Sequence, residues 1–193
     1  MKNRYQSISD EDISVIANKF YDEKQHLTEF QEKPKAIFVA GQPGAGKTKA
    51  ANLVKAELKE LGGYLPVDAD RMREELPTGG IVYPSEQTQA DAGKFVEVLR
   101  ARLIKERRNF FEEGTFRNSE AVKQSMSYLK SQGYQIEMIA VAANFEQSLS
   151  GIFERYEGQI AMGSKSPRLV PVDYHQQAFD GFTKTFQEAA DLF

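Results

Sequence analysis

The 193-residue chain contains no cysteine and only two histidines, His26 and His175. The first absence rules out disulfides and thiolate metal sites and suits a reducing compartment. The second removes any histidine-based metal centre. No apolar run approaches the ~20 residues that span a bilayer, and the N-terminus has no apolar signal core. Long basic runs are missing too. The net charge is -3, and the densest cluster, Lys105-Glu106-Arg107-Arg108, closes a predicted helix, where cations meet the negative end of its dipole. Nucleic acid and anionic membrane are therefore not expected as main partners, and a soluble cytoplasmic protein is. Repeats and low-complexity segments are absent, and the length suits one α/β domain.

What the chain does have is Gly41-Gln42-Pro43-Gly44-Ala45-Gly46-Lys47-Thr48, which fits G-x-x-x-x-G-K-[ST]. Such a loop folds its backbone NH groups around phosphate at the positive end of the following helix. Lys47 would reach the β and γ phosphates of ATP, and Thr48 would offer its hydroxyl to Mg2+. The setting is right: Ala36 to Ala40 reads as a buried strand, and Lys49 to Leu61 as a helix with Ala50, Leu53, Val54 and Leu58 inward.

Before this unit, Ser9 and Asp12 mark a helix start, with Ile13, Ile16, Phe20 and Leu27 as an apolar stripe. After it, Gly62-Gly63 ends the helix and Tyr64 to Val67 starts a second strand that delivers Asp68 and Asp70. Ser85 to Arg108 reads as one long helix with Ala92, Phe95, Val96, Leu99 and Leu103 on one side. Asn109 to Glu113 reads as strand three. A helix capped by Asn118 or Ser119 follows, with Val122, Ser125, Met126 and Leu129 inward. Gly133 stops it, and Tyr134 to Ala142 forms strand four. This alternation predicts a mainly parallel sheet with helices on both faces, a three-layer α/β sandwich of the P-loop type. Ligands then belong at the carboxyl ends of its strands.

Phosphate binding alone does not separate kinases from switches. A signalling GTPase is disfavoured: Asn18-Lys19 is followed by Phe20 and Tyr21 rather than completing N-K-x-D, and no D-x-x-G follows strand two. Asp68 and Asp70 stand two apart, so in extended geometry both would face the P-loop, where one would accept a hydroxyl proton. The simpler alternative makes one of them an N-cap for a helix over Met72 to Leu76. Glu113, Thr115 and Arg117 end strand three around Gly114, where a carboxylate, a hydroxyl and a guanidinium would hold sugar hydroxyls and phosphate; an ordinary polar turn is the alternative. Glu97 lies within the long helix, where the sequence alone favours a solvated helix position.

Arg155 sits in a helix with Leu149, Ile152, Phe153, Tyr156 and Ile160, and Arg168 follows Gly163-Ser164-Lys165-Ser166-Pro167. Two arginines flanking a loop suggest a lid over residues 155–172 that neutralises charge on a transferring phosphate; as surface arginines they would do nothing of the kind. His175 reads either as a ligand contact or as a packing residue.

Taken in order, Gly41 to Thr48, Val67-Asp68-Ala69-Asp70, Glu113-Gly114-Thr115-Phe116-Arg117, Arg155-Tyr156-Glu157, and Arg168 with Pro171 and His175 resemble the zeta toxin family. These are P-loop kinases of bacterial toxin–antitoxin systems that phosphorylate UDP-N-acetylglucosamine. The resemblance spans about residues 35–180. It implies that Asp70 is the base acting on the sugar 3′-hydroxyl, and that Lys47 and Thr48 contact ATP and magnesium. It puts Glu97, Glu113, Thr115 and Arg117 at substrate positions, and Arg155 and Arg168 around the transferring phosphate. It further implies poisoned cell-wall synthesis as the consequence, and an epsilon-type antitoxin, or a fused antitoxin segment, as the partner that blocks the ATP site.

Two departures stand out: Glu112 replaces an apolar strand residue, and Val170 a threonine. Family members usually continue past the position of Phe193 into another strand and further helices, and the segment before Pro34 is too short for a full three-helix antitoxin. Residues 1–33 are thus expected as a flanking helix and 34–193 as the kinase domain. Two other readings keep the same motifs: a P-loop kinase for another small hydroxylated substrate or nucleotide sugar, and a regulatory nucleotide-binding module.

Overall fold

A computed structural model of the chain describes residues 4–164 and 167–192. Four strands, β1 (Lys35–Ala40), β2 (Leu65–Val67), β3 (Phe110–Gly114) and β4 (Gln135–Ala140), form one sheet of order β2-β3-β1-β4 with every neighbouring pair parallel. Parallel neighbours need crossovers, and helices supply them. These are α2 (Lys47–Glu60) after β1, α3 (Ala69–Glu74) and α4 (Ser85–Lys105) after β2, and α5 (Ser119–Ser131) after β3. Helix α1 (Asp10–Lys24) precedes the sheet, while α6 (Phe145–Ala161) and α7 (Val172–Ala189) follow it.

Alternation along β1 splits the core into two. Ala36 and Phe38 face a large cluster with Phe110 of β3, Phe20 and Tyr21 of α1, Phe95 and Leu99 of α4, and Met126 of α5. Ile37 and Val39 face the opposite way, against Ala51, Val54 and Leu58 of α2 and Phe111 of β3. Side chains at successive strand positions point to opposite faces, so a strand whose five residues after Lys35 are all apolar and buried needs a helix layer on each. The three-layer expectation holds.

Local signals set most boundaries. Ser9 Oγ accepts the Asp12 N–H at 3.1 Å and caps α1, and Asn118 Oδ1 does the same for α5 from Ala121 N–H. The chain before α1 is strapped to α4: Tyr5 Oη, Ser7 Oγ and Ile8 N–H all donate to the buried Asp91 carboxylate at 2.7–2.9 Å.

Several expectations need correction. Leu27 and Leu53 point outward, 48% and 75% exposed; the α1 and α2 stripes run instead through Ala17 and Tyr21, and through Ala51. The helix expected around Arg155 is present as α6; of the apolar residues named in it Ile152 is fully buried, while Phe153 and Ile160 are exposed. The long helix stops at Lys105, and Arg107 takes a positive φ of 52° in the turn beyond. The arginines of the basic cluster serve the fold: Arg107 donates to the carbonyls of Gln31, Glu32 and Gln132, and Arg108 to that of Thr28. Asp68 and Asp70 do not share an extended face. Asp68 is the extended N-cap of α3, accepting from Asp70 N–H at 2.9 Å, so Asp70 already lies inside the helix.

Candidate functional site

The loop from Gly41 to Gly46 joins the carboxyl end of β1 to α2 at the sheet edge where β3 and β4 also end. Gly41 N–H donates to Gly114 O at 3.3 Å, which ties the loop to the end of β3. Gly44 has a φ of 77° and lies so near α6 that a Cβ there would sit 1.8 Å from Ser148 O. Gly46 caps α2 in the left-handed conformation, φ 83°, with open space around it. The loop is seated from below: buried Gln42 donates from Nε2 to Ala143 O at 2.6 Å and to Ser148 Oγ at 3.4 Å.

Lys47 Nζ lies over the loop, donating to Gly41 O at 2.9 Å and Gln42 O at 3.1 Å. Burial holds its ammonium below the usual lysine value; the Glu113 carboxylate opposes that shift and the Arg155 guanidinium adds to it. Glu113 and Arg155 are therefore each within electrostatic reach of Lys47. Thr48 is exposed in the first turn of α2. Among the described residues no group of three or more His, Cys, Asp or Glu could hold a metal ion alone.

Asp70 anchors the second half of the site. Its Oδ1 accepts from Arg73 Nη1 at 2.6 Å and its Oδ2 from Arg168 Nη1. Burial pushes the carboxyl up, but the two guanidiniums together outweigh it and hold it below the ordinary aspartate value. Arg168 arrives from the segment before α7, its backbone N–H held by Gln159 Oε1 at 2.7 Å. Lys165 and Ser166 of the expected lid loop lie outside the described residues.

Arg117 stacks its guanidinium 4.7 Å above the Tyr174 ring and donates to Gln177 Oε1 at 3.3 Å, both on α7. Thr115 is half-buried just past β3, and Glu97 is exposed on α4 beside Lys94. Glu112, one residue before Glu113, faces the other side of the sheet and accepts from Arg100 Nη2 at 2.6 Å through both carboxylate oxygens. Burial pushes its carboxyl up against the pull of Arg100. His175 is fully buried; its Nε2 lies 2.8 Å from Ser148 Oγ and its ring packs on Phe145. This is the packing alternative of the two sequence readings.

Sequence reasoning passed over Arg73, Gln89, Ser148 and Tyr174. Arg73 carried a usable signal, standing three residues after Asp70 on a helix. The others did not, because their partners are 16 to 106 residues away.

A family model described as zeta toxin matches residues 18–193. Toxin PezT of Streptococcus pneumoniae serotype 4 is 30% identical over 150 residues, covering 75% of this chain and 58% of that protein. Toxin zeta of Enterococcus hirae is 26% identical over 174 residues, 86% of this chain and 60% of its own length. The chain thus spans about three fifths of these curated relatives. A solved structure from the PezAT chromosomal toxin–antitoxin system of S. pneumoniae superposes with a TM-score of 0.77 at 25% identity, over 97% of this chain and 75% of that one. The AvrRxo1-ORF1:-ORF2 complex with ATP shares the fold at a TM-score of 0.71 and 17% identity, over 99% and 66% of the respective chains.

Proposed function

Since the chain belongs to the zeta toxin family, we propose that it is an ATP-dependent phosphotransferase that phosphorylates the 3′-hydroxyl of the amino sugar of UDP-N-acetylglucosamine, and that it acts as a toxin on cell-wall synthesis. One observation carries the reading: Asp70 and Arg168 are paired at the same sheet edge as the P-loop, whose Lys47 feels both Glu113 and Arg155. An acceptor base and two cations for the transferring phosphate are then available around one loop.

In this reading the loop from Gly41 to Gly46 cradles the ATP phosphates with its NH groups, and Lys47 exchanges its two carbonyl partners for phosphate oxygens. A magnesium ion would be held by the exposed Thr48 hydroxyl and by the nucleotide itself; that fits a chain with no carboxylate cluster among its described residues, since this ion is usually bound through substrate phosphates. Bound there, it would neutralise phosphate charge. Glu97, Glu113, Thr115 and Arg117 are assigned to the sugar nucleotide, with Tyr174 steadying Arg117. Asp70 accepts the hydroxyl proton, and Arg155 and Arg168 balance charge on the group in transfer. The proposed partner is an epsilon-type antitoxin, separate or fused.

The test is mass spectrometry of UDP-N-acetylglucosamine after incubation with the protein and Mg-ATP, beside Asp70→Asn. One added phosphate is expected, slowed about 10²- to 10⁴-fold in the variant. An unmodified sugar nucleotide with ATP still bound to the protein would overturn the substrate assignment.

A further inference from the structure

Both oxygens of Asp70 are occupied, by arginines that are held very differently. Arg73 is only 14% exposed at its side chain. Besides Nη1 on Asp70 Oδ1, its Nε donates to Thr88 Oγ1 at 2.8 Å and its Nη2 to Gln89 Oε1 at 2.9 Å. Thr88 is itself buried in the first turn of α4. All three nitrogens of that guanidinium are thus in use, and two of the bonds fasten it to a 21-residue helix. Arg168, on Oδ2, is 41% exposed and stands four residues ahead of α7. One arginine is a fixture and the other can leave.

We propose that Arg73 is a positioning residue for phosphoryl transfer: docked on Thr88 and Gln89, it holds Asp70 by Oδ1, so that Oδ2, covered at rest by Arg168, is the oxygen that takes the acceptor proton. The proposal rests on the reading of Asp70 as the base. When Arg168 turns to the transferring phosphate, Oδ2 loses its partner while Oδ1 keeps its own. The acceptor hydroxyl then forms its O–P bond, its proton passes to Oδ2, and the bond from the γ-phosphorus to the bridging oxygen breaks, its electron pair leaving with ADP. The timing suits the chemistry. Paired with two guanidiniums, the carboxylate is a poor base, and losing one raises its proton affinity as the hydroxyl needs it. The arginine that stays fixes the direction of the free lone pairs of Asp70, whose side chain is 56% exposed.

The experiment follows the Asp70 carboxyl by carbon-13 NMR titration in the full chain, assigned with Asp70→Asn. It sets this beside the pH dependence of turnover on Mg-ATP and UDP-N-acetylglucosamine. In Arg73→Gln the carboxyl should titrate at higher pH and the acidic limb of the kcat profile should move up with it. In the same variant kcat should fall about 10- to 100-fold with KM for ATP unchanged, and Arg73→Lys should restore part of both. Thr88→Val keeps the guanidinium but removes an anchor, and should lower kcat without abolishing the fold, which covers the case of an unfolded Arg73→Gln. An unmoved Asp70 titration in Arg73→Gln, or unaltered kcat in both Arg73→Gln and Thr88→Val, overturns the proposal. Full activity in Asp70→Asn instead overturns the base reading, and the NMR titration still reports whether Arg73 holds the carboxylate.

Discussion

At the residue scale, two glycines of one loop are asked for different things. Gly44 needs both a left-handed backbone and the absence of a Cβ, because Ser148 O would lie 1.8 Å from one; Gly46 needs only the backbone, with nothing within 4 Å. Gly46→Ala should therefore cost about 1 kcal/mol, the left-handed penalty alone. Gly44→Ala has to move either the loop or α6 and should cost about 3 kcal/mol or more. It should also weaken ATP binding by at least about tenfold, because the displaced NH groups no longer converge on phosphate. Urea denaturation and calorimetric titration with Mg-ATP check both, and equal effects for the two variants would contradict the contact argument. The motif spelled out the glycines, but it could not rank them, since the ranking depends on a helix that begins more than 100 residues later.

At the element scale, α6 and α7 hold the nucleotide loop through three buried polar side chains. Ser148 Oγ donates to the carbonyl of Asn144 or Phe145 and accepts from Gln42 Nε2. His175 is thereby left to donate from Nε2–H, with its Nδ1 unpaired among the described residues. Burial lowers the His175 pKa, so the folded protein keeps the ring neutral. The sign follows: as pH falls below about 6.5, the unfolded chain binds a proton that the folded one refuses, and stability drops. His175→Ala should cost about 2–4 kcal/mol at pH 7.5 and should remove that part of the decline between pH 7.5 and 5.5. Urea midpoints at the two pH values decide it; an unchanged slope in the variant would place the charge uptake elsewhere.

At the scale of the whole molecule, the chain ahead of the sheet is part of the same core. Helix α1 packs along α4, and Asp91 clamps residues 5–8 with three hydrogen bonds. Burial pushes that carboxyl up, yet the Ile8 N–H and the Ser7 and Tyr5 hydroxyls bring it below the ordinary aspartate value. A depressed carboxylate stabilises the fold above its unfolded value of about 3.9 and loses that contribution as pH falls through the folded value. Asp91→Asn keeps the shape and loses the charge. It should cost about 2 kcal/mol at neutral pH and flatten the acid limb of stability. Hydrogen exchange at the Ile8 amide should speed up, and unchanged protection there would show that the strap is held by something other than the carboxylate.

Sequence by itself determined what depends on neighbours in the chain. The strand over Ala36 to Ala40, the glycine loop, the caps at Ser9 and Asn118 and the parallel alternation follow from local sterics, hydrogen bonding and hydrophobic period, all of which act within a few residues. Even the Asp68 cap was readable as an alternative to the paired-carboxylate idea. Tertiary structure alone decided which oxygen of Asp70 meets which arginine, that Glu112 turns from the P-loop to Arg100 while Glu113 turns toward Lys47, and that His175 supports the loop from beneath. Those outcomes depend on which distant elements the two faces of the sheet bring together. Contacts 98 residues apart, such as Asp70 with Arg168, exist only once the hydrophobic layers have closed, and no local rule encodes them.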